Sequence, residues 1–167
     1  MFKITYCKTP VKRAGFEKEK KFVVARDKNK RKLTNNIARA RTKIFEYAIC
    51  NDFQYFITLT INSDCLDRYD LKEYIKKLGQ FIRDYRKKYN CNIQYLLIPE
   101  KHKDGAWHCH GLIRGIPENQ LVENEHGYLD WSEYRCRFGF CSVDKIKNQI
   151  AVSKYITKYI RKSFDTG

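Results

Sequence analysis

The fold of this 167-residue chain depends above all on residues 92–113, which read NIQYLLIPEKHKDGAWHCHGLI. Residues 92–100 and 107–113 are rich in β-branched and aromatic side chains, and this composition predicts two strands. The Lys-Asp-Gly sequence at 103–105 is typical of a tight turn, because glycine adopts the left-handed conformation that such turns need. The segment therefore predicts an antiparallel hairpin.

Two histidines lie on the second of these strands. Side chains alternate between the faces of a strand, so His108 and His110 point the same way, about 6.5–7 Å apart. This spacing lets both imidazoles reach one metal ion. The alternative is that they are two unconnected histidines on a solvated strand face.

The length of the turn decides which residue could be a third ligand. A three-residue loop with Gly105 in the left-handed position pairs Glu100 with His108, which brings that carboxylate to the same face. A two-residue turn would shift the register by one and direct Glu100 away. His102, near the turn, is the alternative third ligand. Two imidazoles and one carboxylate suit Zn²⁺, Mn²⁺ or Mg²⁺.

Two helices and a strand are predicted upstream of the hairpin. Apolar residues recur at three- and four-residue steps after Thr34, which predicts a helix that ends near residues 51–52. Residues 55–61 predict a buried strand. Asp70 can cap a second amphipathic helix, whose apolar face continues to Tyr89.

The rest of the chain completes an α+β plan. Residues 114–136 predict a polar loop with a short helix, 138–143 a short strand, and 147–162 a final helix. Residues 3–7 and 21–25 predict short extended pieces. This order predicts a central antiparallel β-sheet of about five strands with helices packed on one face.

The final helix carries two tyrosines one turn apart. An apolar stripe at every fourth position from Val152 predicts its buried face, and Tyr155 and Tyr159 lie at the edge of that face. Lys158 neighbours Tyr155 at i+3 and would favour its phenolate form, which is scarce at pH 7 for a phenol of pKa about 10. Packing at the edge of a core is the alternative explanation for the pair.

A strong positive charge indicates a polyanionic partner. The chain has 34 Lys and Arg against 19 Asp and Glu, and residues 1–43 hold 15 basic and 3 acidic side chains. Such a field favours nucleic acid, although a solubilising surface or basic tail is an alternative. The candidate DNA contacts on the two outer helices are Arg39, Arg41, Lys154 and Lys162.

The cysteine count and the hydropathy pattern bear on the cellular compartment. Seven cysteines without framework spacing predict reduced thiols, as in a cytosol. There is no apolar run of 18 residues and no apolar signal segment near the first residue. We therefore expect a cytoplasmic protein without a membrane partner.

Three segments together resemble a known superfamily. Residues 56–60 (FITLT), 108–110 (His-Cys-His) and 155–159 (YITKY) look like the three ordered motifs of HUH endonucleases. These include rolling-circle replication initiators of phages, plasmids and small DNA viruses, and the resemblance is closest to phage and mobile-element initiators. Cys109 takes the usual hydrophobe position, which a compact free cysteine can fill.

The resemblance implies a split βαβ-like sheet, with the histidines on a central strand and the nucleophile on a facing helix. It also implies the roles of the site residues. The implied metal ligands are His108, His110 and Glu100, and the implied catalytic residues are Tyr155 as nucleophile, Lys158 of the Y-x-x-K motif, and Tyr159 as second tyrosine.

The implied reaction is nicking and rejoining of single-stranded DNA through a 5′-phosphotyrosine, recognised by sequence or structure. It implies a divalent metal, Mg²⁺ or Mn²⁺, and no nucleotide cofactor, because the phosphotyrosine bond conserves the energy for joining. The chain contains no G-x-x-x-x-G-K-[ST] motif.

The expected organisation is a single endonuclease domain over 1–167, with a basic extension at 1–33 and a catalytic core at 34–167. The expected partners are single-stranded DNA or an origin hairpin, and a host helicase or polymerase, for a monomer in the bacterial host of a phage or mobile element. The alternatives are a non-catalytic module that binds single-stranded nucleic acid and a related HUH transposase.

Overall fold

The computed structural model describes the backbone of residues 28–125 and 127–165, and the side chains of 33–125 and 127–160. The extended pieces predicted at 3–7 and 21–25 lie outside the described residues. The elements in chain order are α1 (Lys28–Cys50), β1 (Tyr55–Thr60), α2 (Leu71–Tyr89), β2 (Gln94–Lys101), β3 (Trp107–Arg114), a 3₁₀ turn (Glu118–Gln120), β4 (Leu121–Glu123), β5 (Leu129–Trp131), α3 (Ser132–Arg137), β6 (Cys141–Lys145) and α4 (Gln149–Asp165).

Within the described residues, six strands form one sheet in the order β2-β3-β1-β6-β5-β4. All neighbouring strands run antiparallel, so the predicted α+β class is confirmed. The strand beyond the expected number arises in segment 114–136, where β4 and β5 accompany the short helix α3. Each of these strands has three residues, which is too short for an alternating pattern to stand out.

Helices cover both faces of the sheet, so the prediction that they pack on one face is wrong. On β1, Ile57 and Leu59 pack in one core with Tyr74 of α2 and Tyr134 of α3. The alternate residue Phe56 packs on the opposite side, against the core that contains α1 and α4. Strand β1 has large side chains on both faces because it is central and covered twice.

The second core places α4 over β2 and β3. Ile156 and Ile160 of α4 pack against Ile98 of β2 and Leu112 of β3, with Ala48 of α1 beside them. This confirms the predicted apolar stripe of the final helix.

Both outer helices start at positions other than those predicted. Helix α4 starts at Gln149, where the Asn148 carboxamide oxygen accepts a hydrogen bond from the Ala151 N–H and so caps the first turn. Helix α1 starts at Lys28, upstream of the predicted Thr34. Its first turns lack apolar periodicity but contain good helix formers.

The β2–β3 hairpin has the register that brings Glu100 opposite His108. The His102 N–H donates to the Ala106 carbonyl (2.7 Å), and Gly105 has a φ of +90°, as a three-residue loop requires. The predicted turn is therefore confirmed.

The thiols and helix lengths agree with two further expectations. The six cysteines in the described residues are all free, as predicted from their spacing. None of the helices in the described part of the chain is long and apolar enough to cross a lipid bilayer.

Candidate metal centre and tyrosine pair

The α4-facing side of the hairpin carries three converging ligand atoms. The Nε2 atoms of His108 and His110 lie 3.1 and 3.0 Å from the same Oε2 atom of Glu100. The ligand atoms of all three residues lie within 4.8 Å of one another, and the side chains are largely shielded from solvent. Two neutral imidazoles and a carboxylate that converge in this way fit a divalent metal ion.

His102 does not join this group. Its side chain is 64% exposed, and its Nδ1 atom lies 3.6 Å from a carboxylate oxygen of Asp104 in the turn. Its ring centroid is 5.6 Å from that of His108. Since β2 ends at Lys101, the position of His102 follows from the turn and not from the alternation of the strand. The third residue of the converging group is therefore Glu100.

A threonine on the neighbouring strand orients one histidine, although sequence reasoning assigned it no role. Thr58 lies opposite His110 in the β1–β3 pairing, and its Oγ1 atom is 3.2 Å from the His110 Nδ1 atom. A hydrogen bond at Nδ1 holds the ring so that Nε2 faces Glu100. Strand parity within the FITLT segment was the only sequence signal for this role.

Tyr159 closes the site from the α4 side. Its ring stacks on that of His110, with centroids 3.9 Å apart and planes inclined by 18°. Only 6% of Tyr159 is exposed, so it is buried and not at an exposed edge as predicted. Burial, the hydrogen bond with Tyr155 and the nearby Glu100 carboxylate all raise the pKa of Tyr159 above its ordinary value. Its hydroxyl therefore remains protonated at neutral pH.

Tyr155 is the exposed member of the pair. It is 42% exposed, and its hydroxyl oxygen accepts a hydrogen bond of 2.7 Å from the Tyr159 hydroxyl. The Lys158 ammonium lies 5.0 Å from the centroid of its ring, and Phe56 packs edge-on against the ring at 5.5 Å. A positive charge and a hydrogen-bond donor near a phenol both favour its ionised form. The structure thus links an accessible phenol, through Tyr159, to the histidine cluster.

The basic side chains predicted to contact DNA lie on α1 and α4, the two helices on this side of the sheet. Arg39, Arg41 and Lys154 are exposed, and none of them forms an ion pair with another described residue. Their charge is therefore available to an external anion. The side chain of Lys162 lies outside the described residues.

Comparison with known proteins identifies a family. Residues 54–164 match the family model described as Replication-associated protein, of the ORF2 group. The match runs from the segment before β1 to the end of α4, so it includes the histidine cluster and both tyrosines. No curated protein sequence and no solved structure matches the chain significantly.

Proposed function

The chain belongs to the ORF2 family of replication-associated proteins, and from that premise we propose that it is a metal-dependent endonuclease of the HUH type. It nicks and rejoins single-stranded DNA to start rolling-circle replication. One observation carries this proposal: the exposed Tyr155 hydroxyl is hydrogen-bonded to Tyr159, whose ring lies against His110 of the Glu-His-His group.

The proposed reaction is a transesterification. The Tyr155 oxygen attacks a DNA phosphate and forms a P–O bond, while the bond from phosphorus to the 3′-oxygen breaks. The phenol loses its proton and the departing 3′-oxygen gains one, which yields a 5′-phosphotyrosine and a free 3′-hydroxyl. The hydroxyl primes synthesis, and a later attack by a 3′-hydroxyl reseals the strand without a nucleotide cofactor.

The neighbouring side chains divide the remaining work. Glu100, His108 and His110 would hold Mg²⁺ or Mn²⁺, which when bound acts as a Lewis acid on the phosphate. Tyr159 donates its hydroxyl hydrogen to the Tyr155 oxygen and so stabilises negative charge there. The Lys158 ammonium adds positive charge beside the same ring.

The proposal is tested by incubating the full chain with random-sequence single-stranded oligonucleotides and Mn²⁺. A covalent protein–DNA species that survives denaturing electrophoresis is expected. Its formation should require Mn²⁺ or Mg²⁺, and free 3′-hydroxyl fragments should accumulate with it. Tight DNA binding without any adduct or cleaved strand would instead indicate a non-catalytic nucleic-acid-binding module.

Tyr159→Phe keeps the ring on His110 but removes the hydrogen bond to Tyr155. We expect single-turnover nicking to slow by about 10- to 100-fold, because a hydrogen bond to a charged oxygen contributes about 1.5–3 kcal/mol. The adduct should still form on Tyr155. Tyr128→Phe, which changes an exposed tyrosine in the same way, serves as the matched control. An unchanged rate would remove Tyr159 from the mechanism.

Binding of single-stranded DNA should depend steeply on salt. If about five phosphates are neutralised, affinity should fall about a hundredfold between about 50 and 200 mM salt. Fluorescence anisotropy with a labelled oligonucleotide measures this slope. The double variant Arg39→Gln, Arg41→Gln should have a shallower slope by about one unit for each lost phosphate contact. A flat response in the wild type would exclude the basic surface from binding.

A further inference from the structure

A cleft of about 430 Å³ adjoins Tyr155 and is separate from the histidine cluster. Its walls come from β1, from the end of β6 and from the first turns of α4, whereas Glu100 and the histidines belong to β2 and β3. Ligand pockets in proteins commonly measure about 300–1,000 Å³. The cleft is therefore large enough for a ligand that would lie beside the tyrosine.

An aromatic ring and a carboxylate stand side by side in this cleft. Phe56 of β1 lies directly opposite Asp144 of β6, so their side chains share one face of the sheet. The Phe56 ring is half-buried and contacts Tyr155, which holds it in place. Asp144 is exposed, and its carboxylate makes no hydrogen bond or ion pair with the described residues. A flat apolar surface next to a free acceptor matches the ring and the amino group of an unstacked nucleobase.

The charges of the cleft fit a nucleotide within a strand. Lys145 and Lys147 are exposed in its lining, and lysines in such positions contact the phosphates on either side of a bound base. Asp144 between them would repel a phosphate, but it can accept a hydrogen bond from a base. The carboxylate therefore discriminates, while the lysines attract any sequence.

We infer that this cleft binds the base of a nucleotide next to the phosphate that Tyr155 attacks, with Phe56 stacking on the base and Asp144 selecting amino-bearing bases over thymine. Adenine, cytosine and guanine each offer an amino group to the carboxylate. The single N–H donor of thymine lies between two carbonyl oxygens, which a carboxylate repels. The inference rests on the proposed function, because it needs a strand cleaved at Tyr155.

The test is to cleave an oligonucleotide library with a randomised centre, using the full chain and Mn²⁺. The DNA fragment attached to the protein and the released fragment are both sequenced, which reports the bases on the two sides of the nick. The wild type should disfavour thymine at one flanking position by at least about tenfold, as expected for a hydrogen bond to a charged acceptor. Asp144→Asn, whose amide can also donate to a carbonyl, should reduce this discrimination to about twofold or less.

Two further variants separate base selection from general damage. Asp84→Asn removes an exposed carboxylate from α2, on the other face of the sheet, and should keep the wild-type base profile. Phe56→Leu keeps an apolar side chain but loses the stacking ring, so it should weaken oligonucleotide binding about tenfold. If Asp144→Asn forms adducts with an unchanged profile at both flanking positions, the inference is wrong. A wild type without any adduct would overturn the proposed function instead.

Discussion

Tyr155→Phe should form no covalent adduct and should nick single-stranded DNA more than about 1,000-fold more slowly than the wild type. The substitution removes the attacking oxygen, and loss of a covalent nucleophile leaves only the rate that binding and electrostatics can support. The phenylalanine ring can still pack on Phe56 and under Lys158, so the surrounding structure should persist. Single-turnover cleavage and mass analysis of the adduct peptide measure the effect.

Binding provides the internal control for this variant. Because 42% of Tyr155 is exposed and only its hydroxyl is lost, affinity for an uncleaved oligonucleotide should stay within about threefold. Tyr128→Phe should behave as the wild type in both assays. If Tyr155→Phe nicks at the full rate while Tyr159→Phe is inactive, the nucleophile is Tyr159.

His108→Ala should abolish metal-dependent nicking and lower the affinity for Mn²⁺ by at least about 100-fold. Its Nε2 atom is one of three ligand atoms that converge within 4.8 Å, and two remaining ligands hold a divalent ion poorly. Calorimetric titration with Mn²⁺ measures the affinity. Cleavage with and without a chelator measures the dependence on the metal.

His102→Ala is the matched control, because it removes a nearby imidazole that points away from the convergence. The His102 side chain is 64% exposed and faces Asp104, so its loss should change Mn²⁺ affinity by no more than about twofold. A large loss in His102→Ala would mean that this residue moves to complete the coordination. Wild-type cleavage that persists in chelator would refute the metal requirement.

The ligand cluster was predictable because it depends on local rules. Strand alternation places His108 and His110 on one face, and the turn chemistry around Gly105 sets the register that adds Glu100. Both rules act within one hairpin, and the observed pairing of Glu100 with His108 confirms the result. The tyrosine pair was predictable from motif order, since helical periodicity alone suggests only packing at the edge of a core.

Features that depend on distant segments were not predictable in the same way. The burial of Tyr159, the contact of Thr58 with His110 and the cleft beside Phe56 all require knowing which strands are neighbours. That order, with β1 between β3 and β6, joins residues far apart in the chain. The covering of both sheet faces follows from the same order, because a central strand is enclosed by whatever crosses above and below it.

The alternation along β1 ties the site to the global stability of the molecule. Phe56 and Thr58 face the tyrosines and His110, while Ile57 and Leu59 between them are completely buried in the opposite core. These side chains cannot separate locally without breaking the centre of the sheet. Backbone amides of β1 should therefore exchange with deuterium only through complete unfolding. A substitution such as Leu59→Ala, far from any ligand atom, would then shorten the time during which the protein remains competent.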